Sequence, residues 1–204
     1  VVEIPQPLQM NGDIRQGYID GWDYFMAMFG FAVRDKYFNS YVIDTATVAR
    51  RFKAEAYLEG LQRDALAEKK QPRKQLLQME WGKPNEAIRE IITTAGGIRK
   101  NFVLTHWLTE EYVKGFVNGQ ETTVPSGNYL LEGLSDTHNK VDVAVRFDKS
   151  MVDNKTMVRY KFMKCGYNTD LENPRLTFDN PTWDSVMKLI DDTQGGRLGF
   201  QYRG

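Results

Sequence analysis

Apolar residues recur every three or four positions in four stretches of the chain, which is the spacing of one face of an α-helix. The first stretch begins at Asp20, the second covers 46–67, the third covers 85–95, and the last opens at Asn180-Pro181. Asp and Pro are both favoured where a helix begins, so Asp20 and Pro181 also indicate two helix starts. The pattern therefore predicts four helices, each with one buried apolar face.

Short apolar runs indicate strands of two kinds. Tyr41–Thr45 and Phe102–Trp107 are nearly continuous runs that end in polar residues, as strands buried in a parallel sheet do. Val141–Phe147 and Val158–Phe162 alternate apolar and polar residues, which predicts antiparallel neighbours with one wetter face. We therefore expect an α/β fold with a parallel sheet flanked by helices and with antiparallel strands toward the C-terminus.

Three further segments complete the expected chain. Val1–Ile4 is predicted as a strand, Val117–Asp136 as a long mobile loop, and Gly195–Gly204 as a flexible tail. With no internal repeat, a single domain over residues 1–204 is expected. Because the chain starts inside a predicted strand and not with methionine, we expect its natural N-terminus to lie upstream.

Composition narrows the classes of function. Of the 204 residues, 27 are Lys or Arg and 27 are Asp or Glu, so the chain has no net positive charge that would indicate nucleic-acid binding. Any contact with a nucleic acid must therefore involve a local cluster of cations. The single cysteine, Cys165, excludes an internal disulfide and suits a reducing cytoplasm. No apolar run approaches the roughly 20 residues that cross a bilayer, so no membrane partner is expected.

Asp44 is the first candidate for chemistry. It ends the Tyr41–Thr45 strand just before the helix over 46–67 begins. A carboxylate at the carboxyl end of a buried strand is well placed to meet a metal ion or a phosphate group. The alternative is a structural one, in which Asp44 caps the helix or forms a turn.

Several short segments of the chain together form a recognisable set. They are Val42–Thr47, Glu80-Trp81-Gly82 before Asn85–Ala95, Val103–His106, Lys164-Cys165, Asn173–Phe178 and Asn180–Trp183. In their order they resemble the RecA-like AAA-type ATPases common in bacteriophage genomes, in particular the short RecA-core proteins that assist single-strand annealing and recombination. The resemblance implies a three-layer RecA-like P-loop NTPase core that binds ATP and Mg²⁺. It further implies single-stranded DNA as a partner, a homo-oligomer, contacts with phage recombination or replication proteins, and a bacterial host cytoplasm.

The resemblance assigns roles at the nucleotide. Asp44 would be the Walker B carboxylate that acts through Mg²⁺-bound water, and Thr45 beside it would also contact the nucleotide. Lys164 would reach the nucleotide of a neighbouring subunit.

It also assigns roles in catalysis. Glu80 would polarise the attacking water, and Thr105 or His106 would sense the γ-phosphate. A surface carboxylate near a helix start is the alternative for Glu80, and a buried, hydrogen-bonded core group is the alternative for His106.

Two loops would hold DNA in proteins of this type. One corresponds to Lys114–Tyr129, where Tyr129, or the nearby Trp107, would stack on bases. The other is a basic segment whose cations would contact phosphates, unless it is only solvated surface. Those cations are Lys69, Lys70, Arg73 and Lys74.

One departure from the family pattern is serious. The chain contains no G-x-x-x-x-G-K-[ST] sequence. Gly12 and Gly17 have the spacing of its two glycines, but Tyr18 and Ile19 follow where the motif requires Lys and then Ser or Thr. If no such loop precedes Val1, the protein should not hydrolyse ATP. The alternative function is then a non-catalytic α/β binding or assembly module that has lost the loop. A third possibility is a nucleotide-dependent accessory of phage packaging or replication initiation.

Overall fold

The computed structural model describes residues 1–5, 7, 14–117 and 119–193. They divide into two compact units, Val1–Ser135 and Asp136–Gly204. The expectation of a single domain over residues 1–204 stays a prediction.

The first unit combines three helices, a parallel strand pair and a long hairpin. Its parallel pair runs in register from Ser40↔Asn101 to Ile43↔Leu104, so the prediction of parallel pairing between these two strands is confirmed. In chain order the elements are α1 (Tyr18–Arg34), β1 (Ser40–Ile43), α2 (Ala46–Ala67), a 3₁₀ turn (Gln78–Trp81), α3 (Gly82–Gly96), β2 (Asn101–Leu104), β3 (Leu108–Val117) and β4 (Gln120–Leu131).

One apolar core holds the three helices together. Tyr18 and Trp22 of α1 pack with Phe52 of α2 and with the isoleucines of α3, of which Ile88 and Ile91 are almost wholly buried. Phe25 and Phe29 of α1 pack against the same cluster, so the apolar residues at helical spacing in α1 face the core, as that spacing indicates. Phe102 and Leu104 pack against the same cluster, so β2 is anchored by the apolar run that identified it as a strand.

The segment Val117–Asp136 is not a loop, and that expectation was wrong. Most of it is β4, which pairs antiparallel with β3 from Leu108↔Leu131 to Val117↔Gln120. The ladder is irregular after Glu110, where the Glu111 carboxylate accepts hydrogen bonds from Ser126 Oγ (2.8 Å) and Asn128 Nδ2 (3.1 Å). Glycines that resembled loop residues instead occupy the hairpin turn and this bulge.

The second unit is a three-stranded antiparallel sheet packed against a helix. Tyr160, Phe162 and Cys165 form its core with Val186 and Ile190 of the helix. The predicted antiparallel pairing is confirmed by the register Val143↔Cys165 to Val152↔Lys155. Its elements are α4 (Thr137–Lys140), β5 (Val143–Val152), β6 (Lys155–Cys165), a 3₁₀ turn (Thr169–Glu172), β7 (Phe178–Asp179) and α5 (Trp183–Thr193).

Other expectations have mixed outcomes. The chain is α/β, but the sheets of the described residues have only two or three strands each. The prediction of a strand over Val1–Ile4 was wrong. These residues pair with no strand in the part of the chain that the structure describes, and Val1 and Val2 are exposed. The tail Gly195–Gly204 lies outside the described residues. Among the described helices, none has the length and apolar character needed to cross a membrane.

Candidate functional site

Asp44 and Thr105 meet at the carboxyl ends of β1 and β2. Thr105 Oγ1 donates a 2.5 Å hydrogen bond to Asp44 Oδ1. The two segments remain hydrogen-bonded beyond the ends of β1 and β2, because Thr105 N–H donates to the Ile43 carbonyl (3.2 Å) and Ala46 N–H donates to the Thr105 carbonyl (2.9 Å). Both side chains are exposed, so one carboxylate oxygen of Asp44 remains accessible at this edge.

The start of α2 is fixed against the end of β2. Thr45, and not Asp44, caps the helix, since Thr45 Oγ1 accepts a 3.1 Å hydrogen bond from Val48 N–H. The cap alternative for Asp44 is therefore wrong, and Asp44 is a turn residue. Thr47, which is buried, accepts a 3.0 Å hydrogen bond from Trp107 N–H with its hydroxyl oxygen. The hydroxyl residues after Asp44 thus hold the helix in place, and the Thr45 hydroxyl oxygen is engaged by the backbone.

His106 follows Thr105 directly. Both of its ring nitrogens are buried, and neither has a hydrogen-bond partner among the described residues. Burial lowers the pKa of the imidazole, which favours the neutral ring at neutral pH. His106 is thus a desolvated imidazole one residue from the exposed edge, and the described residues supply none of the hydrogen bonds expected of a satisfied core histidine.

Glu80 has two partners of its own. Its carboxylate accepts hydrogen bonds from Arg73 Nη1 and from Leu77 N–H, the latter at 2.7 Å. The Leu77 hydrogen bond lowers the pKa of Glu80, burial opposes this, and Arg73 lowers it further. A carboxylate so held is a weaker base, so these contacts favour a role in fixing the turn before α3. The predicted part in activating water stays a prediction.

The basic segment 69–74 is a loop, as expected, and it is anchored at two points. Gln62 of α2, which is buried, donates from Nε2 to the Arg73 carbonyl at 2.7 Å, and the Arg73 side chain pairs with Glu80. Lys70 pairs with Glu68 at 2.6 Å. Lys70 and Arg73 thus have carboxylate partners, which reduces the local charge offered to phosphates.

The β3–β4 hairpin contains the second predicted DNA-contacting segment. Its single lysine, Lys114, pairs with Glu121 at 2.8 Å, and the hairpin also carries Glu110 and Glu111. Tyr112 and Phe116 are exposed, and so is Tyr129. The hairpin is therefore an acidic and partly apolar surface.

Two adjacent arginines of α2 each lie over a tryptophan, a feature that the sequence analysis missed. The Arg50 guanidinium is 4.4 Å from the Trp81 ring centre, and that of Arg51 is 5.0 Å from the Trp107 ring centre. Arg51 also pairs with Glu132 at the end of the hairpin. Trp107, although half-exposed, is thus held against α2 at the base of the hairpin. Neither partner is a neighbour in sequence, so no local pattern signals the contact.

Lys164 lies in the second unit. Its Nζ donates to the carbonyls of Asn139 (3.0 Å) and Val141 (2.7 Å). These bonds tie the end of β6 to α4 and to Val141, which directly follows α4. Reaching a neighbouring subunit's nucleotide would require at least one of them to be exchanged.

The site fits Mg²⁺ only in part. Among the described residues, no group of three or more His, Cys, Asp or Glu side chains could hold a metal ion. Mg²⁺ with a nucleotide takes most of its ligands from water and phosphate, so one carboxylate such as Asp44 suffices on the protein side. The phosphates themselves need a cradle of backbone amides, and the P-loop sequence that forms one is missing from these 204 residues.

Comparisons with protein-family models, curated proteins and solved structures found no match for this chain.

Proposed function

We propose that this chain forms the core of a RecA-like ATPase that couples ATP and Mg²⁺ binding to single-stranded DNA in phage recombination or replication. In this proposal the protein works as a homo-oligomer in the bacterial host cytoplasm, together with other recombination or replication proteins.

One observation supports the nucleotide half of the proposal. Asp44 and Thr105 are both exposed and are hydrogen-bonded to each other at the carboxyl ends of two adjacent parallel strands, and α2 starts two residues after Asp44. Ligands of open α/β sheets bind at this edge. An acidic and a hydroxyl side chain there suit a hydrated divalent cation better than an apolar ligand.

The residues of the site have distinct proposed tasks. Asp44 would hold Mg²⁺ through water with the oxygen that Thr105 leaves accessible. Thr105 orients that carboxylate through its hydrogen bond, and it also ties Ala46 of α2 through its carbonyl. When bound, ATP would supply the transferable phosphoryl group and Mg²⁺ would neutralise the charge that develops on it. Because the 204 residues contain no G-x-x-x-x-G-K-[ST] sequence, ATP turnover is proposed only for a protein that contains both this chain and a loop of that kind.

The test compares Asp44→Asn with Asp64→Asn, which makes the same charge change at an exposed position of α2. In a protein that includes the phosphate-binding loop, Asp44→Asn should lower ATP turnover about 10²-fold, as loss of one charge-stabilising group does. Asp64→Asn should leave it unchanged. Turnover by Asp44→Asn at the wild-type rate would remove Asp44 from the mechanism, and absence of ATP binding in such a protein would overturn the proposal.

A second candidate is the non-catalytic binding or assembly module. The exposed Tyr112 and Phe116 side chains of the β3–β4 hairpin favour it, since exposed aromatic groups are typical of protein interfaces. Tyr112→Thr with Phe116→Thr should then abolish self-association in analytical ultracentrifugation, whereas Asp44→Asn should not change it.

A further inference from the structure

The β5–β6 hairpin of the second unit carries a concentrated positive charge. Residues 143–165 contain six Lys or Arg side chains and two Asp side chains, although the whole chain is neutral. The β3–β4 hairpin of the first unit has the opposite balance, with one lysine and three glutamates in residues 108–131. Attraction for a polyanion therefore favours the β5–β6 hairpin over the β3–β4 hairpin.

The strand register sorts these cations by face. Tyr160 and Phe162 lie on the face that packs against α5, and the alternate residues of β6 point the other way. Four cations lie on this other face, together with Asp148 of β5 and Asp179 of β7. They are Arg146, Lys155, Arg159 and Lys161, which we name the cationic face.

Two of these cations repel each other across the β5–β6 ladder. Arg146 and Lys161 are directly opposite each other in the β5–β6 ladder, an arrangement that destabilises a sheet when both residues are cations. Arg146 is balanced by Asp148 at 2.7 Å and Arg159 by Asp179 at 3.2 Å. Lys155 and Lys161 form no ion pair among the described residues, so each offers an uncompensated positive charge.

The spacing of the cations suits a linear chain of phosphates. Lys155, Arg159 and Lys161 occupy one face of a single strand, so they follow one line at multiples of about 6.6 Å, twice the rise per residue. Their side chains are flexible donors without a base-reading geometry, which matches contacts that position a backbone and ignore sequence.

We infer that the cationic face binds the phosphate backbone of single-stranded DNA. The inference rests on the proposed function, which supplies single-stranded DNA as the partner. It goes beyond that function by placing a DNA contact in the second unit, in addition to the loop at 69–74. It also predicts that the acidic β3–β4 hairpin contributes few phosphate contacts.

The chain offers a matched pair of variants for the test. Lys161→Gln removes one charge from the cationic face. Lys149→Gln removes the same charge from the same hairpin, but Lys149 lies on the face of Tyr160 and Phe162. Neither lysine has an ion-pair partner among the described residues, so neither change breaks an ion pair. Lys155→Gln with Lys161→Gln enlarges the effect, and Lys69→Gln with Lys70→Gln reports on the loop.

The measurement is fluorescence anisotropy of a labelled oligothymidine bound by the full chain across a range of salt concentrations. Each lost phosphate contact should reduce the slope of log affinity against log salt by about 0.7. Lys161→Gln should reduce the slope by this amount, and the Lys155/Lys161 double variant should reduce it by about twice as much. Lys149→Gln should leave the slope unchanged. Thermal melts of every variant verify that the fold is intact.

The possible failures separate the two proposals. If the wild-type chain binds the oligonucleotide and the Lys155/Lys161 variant binds it with the same slope, this inference is overturned and the proposed function survives. If Lys149→Gln has the same effect as Lys161→Gln, the face is not a site and the inference fails. Tighter binding of a labelled polyglutamate peptide than of DNA would assign the face to an acidic protein. If the wild-type chain binds no DNA at all, both proposals lose their DNA half.

Discussion

The carboxylate of Glu59, in α2, accepts a 2.7 Å hydrogen bond from the backbone N–H of Tyr18, at the start of α1. It also accepts from the N–H groups of Gly17 (3.1 Å) and Ile19 (3.0 Å), and the Glu59 side chain is fully buried. Gly17 has no side chain with which to cap α1, so the donors of its first turn are satisfied by a residue of another helix. A buried anion at the positive end of a helix is also favourable to the helix dipole.

Glu59→Ala should therefore destabilise the first unit by about 2–4 kcal/mol, because it leaves three backbone donors without their acceptor. Glu59→Gln should cost less, since the amide oxygen can still accept. Urea unfolding followed by circular dichroism measures both, with Glu86→Gln on the exposed surface of α3 as the control. A cost for Glu59→Ala no larger than that of the control would contradict the capping role.

The same carboxylate predicts an acid-dependent loss of stability. Burial raises the pKa of Glu59, but the hydrogen bonds from Ile19, Gly17 and Tyr18, with Arg63, outweigh it and the net pKa is lowered. A lowered folded-state pKa gives stability that is present above the unfolded-state value of about 4.3 and is lost as pH falls through the folded-state pKa. The free energy of unfolding of Glu59→Gln should therefore depend less on pH in this range than that of the wild type.

Two glycines in helices should respond to alanine with opposite signs. A Cβ on Gly21 of α1 would lie 2.6 Å from Cζ of Phe52, whose ring is buried in the core. Gly21→Ala should therefore destabilise the unit by about 1–3 kcal/mol through overpacking. Gly60 of α2 has open space around its Cβ position, so Gly60→Ala should stabilise by about 0.5–1 kcal/mol.

Thermal and urea unfolding of the two alanine variants check this contrast. Gly21→Ala combined with Phe52→Leu should cost less than the two single changes added together, because the smaller side chain relieves the contact. If Gly21→Ala and Gly60→Ala shift stability in the same direction, the packing of α1 on α2 differs from that described here.

The four longer helices and the parallel pair could be predicted because each is encoded in a local pattern, whereas the four-residue α4 was not predicted. The apolar spacing that marks α1 and α3 is the spacing of the residues now found in the core, as with Trp22 and Ile88. The hairpin could not be predicted in this way. Gly119 and Gly127 resemble loop residues, and the strands are stabilised by cross-strand contacts such as those of Glu111 with Ser126, which leave no periodic signal.

The candidate site shows the same division. Asp44 and Thr105 could be brought together from sequence because each ends an apolar run, and parallel strands place those ends at one edge. The contacts of Glu80 with Arg73 and of Arg51 with Trp107 depend on how a loop and a hairpin fold back onto α2. Such pairings are set by tertiary structure. The sequence analysis assigned Glu80 a role from its position in a motif, and that position could not reveal its contact with Arg73.

His106 should make the first unit less stable in mild acid. Burial lowers its folded-state pKa, so the unfolded state takes up a proton first as pH falls below about 6.5. Above this pH the His106 ring does not lower the free energy of unfolding. Below it the free energy of unfolding declines, by at most about 1.4 kcal/mol per pH unit, until the folded-state pKa is reached. His106→Phe should remove this dependence in urea unfolding measured from pH 7.5 to 5, whereas His138→Gln should preserve it. An equal slope in wild type and His106→Phe would show that the ring does not control it.

Glu80→Gln should separate a structural carboxylate from a catalytic one. The carboxylate already accepts hydrogen bonds from Arg73 and Leu77, so we expect the amide to weaken the turn before α3 and to lower stability. Arg73→Gln should lower it similarly, and the double variant should show less than the sum, because both changes remove the same ion pair. In a protein with the phosphate-binding loop, ATP turnover by Glu80→Gln should stay within about threefold of wild type, against the roughly 10²–10⁴-fold loss that follows removal of a general base. A hundredfold loss in Glu80→Gln with normal turnover in Arg73→Gln would instead assign Glu80 to the activation of water, with its bond to Arg73 exchanged when the nucleotide binds.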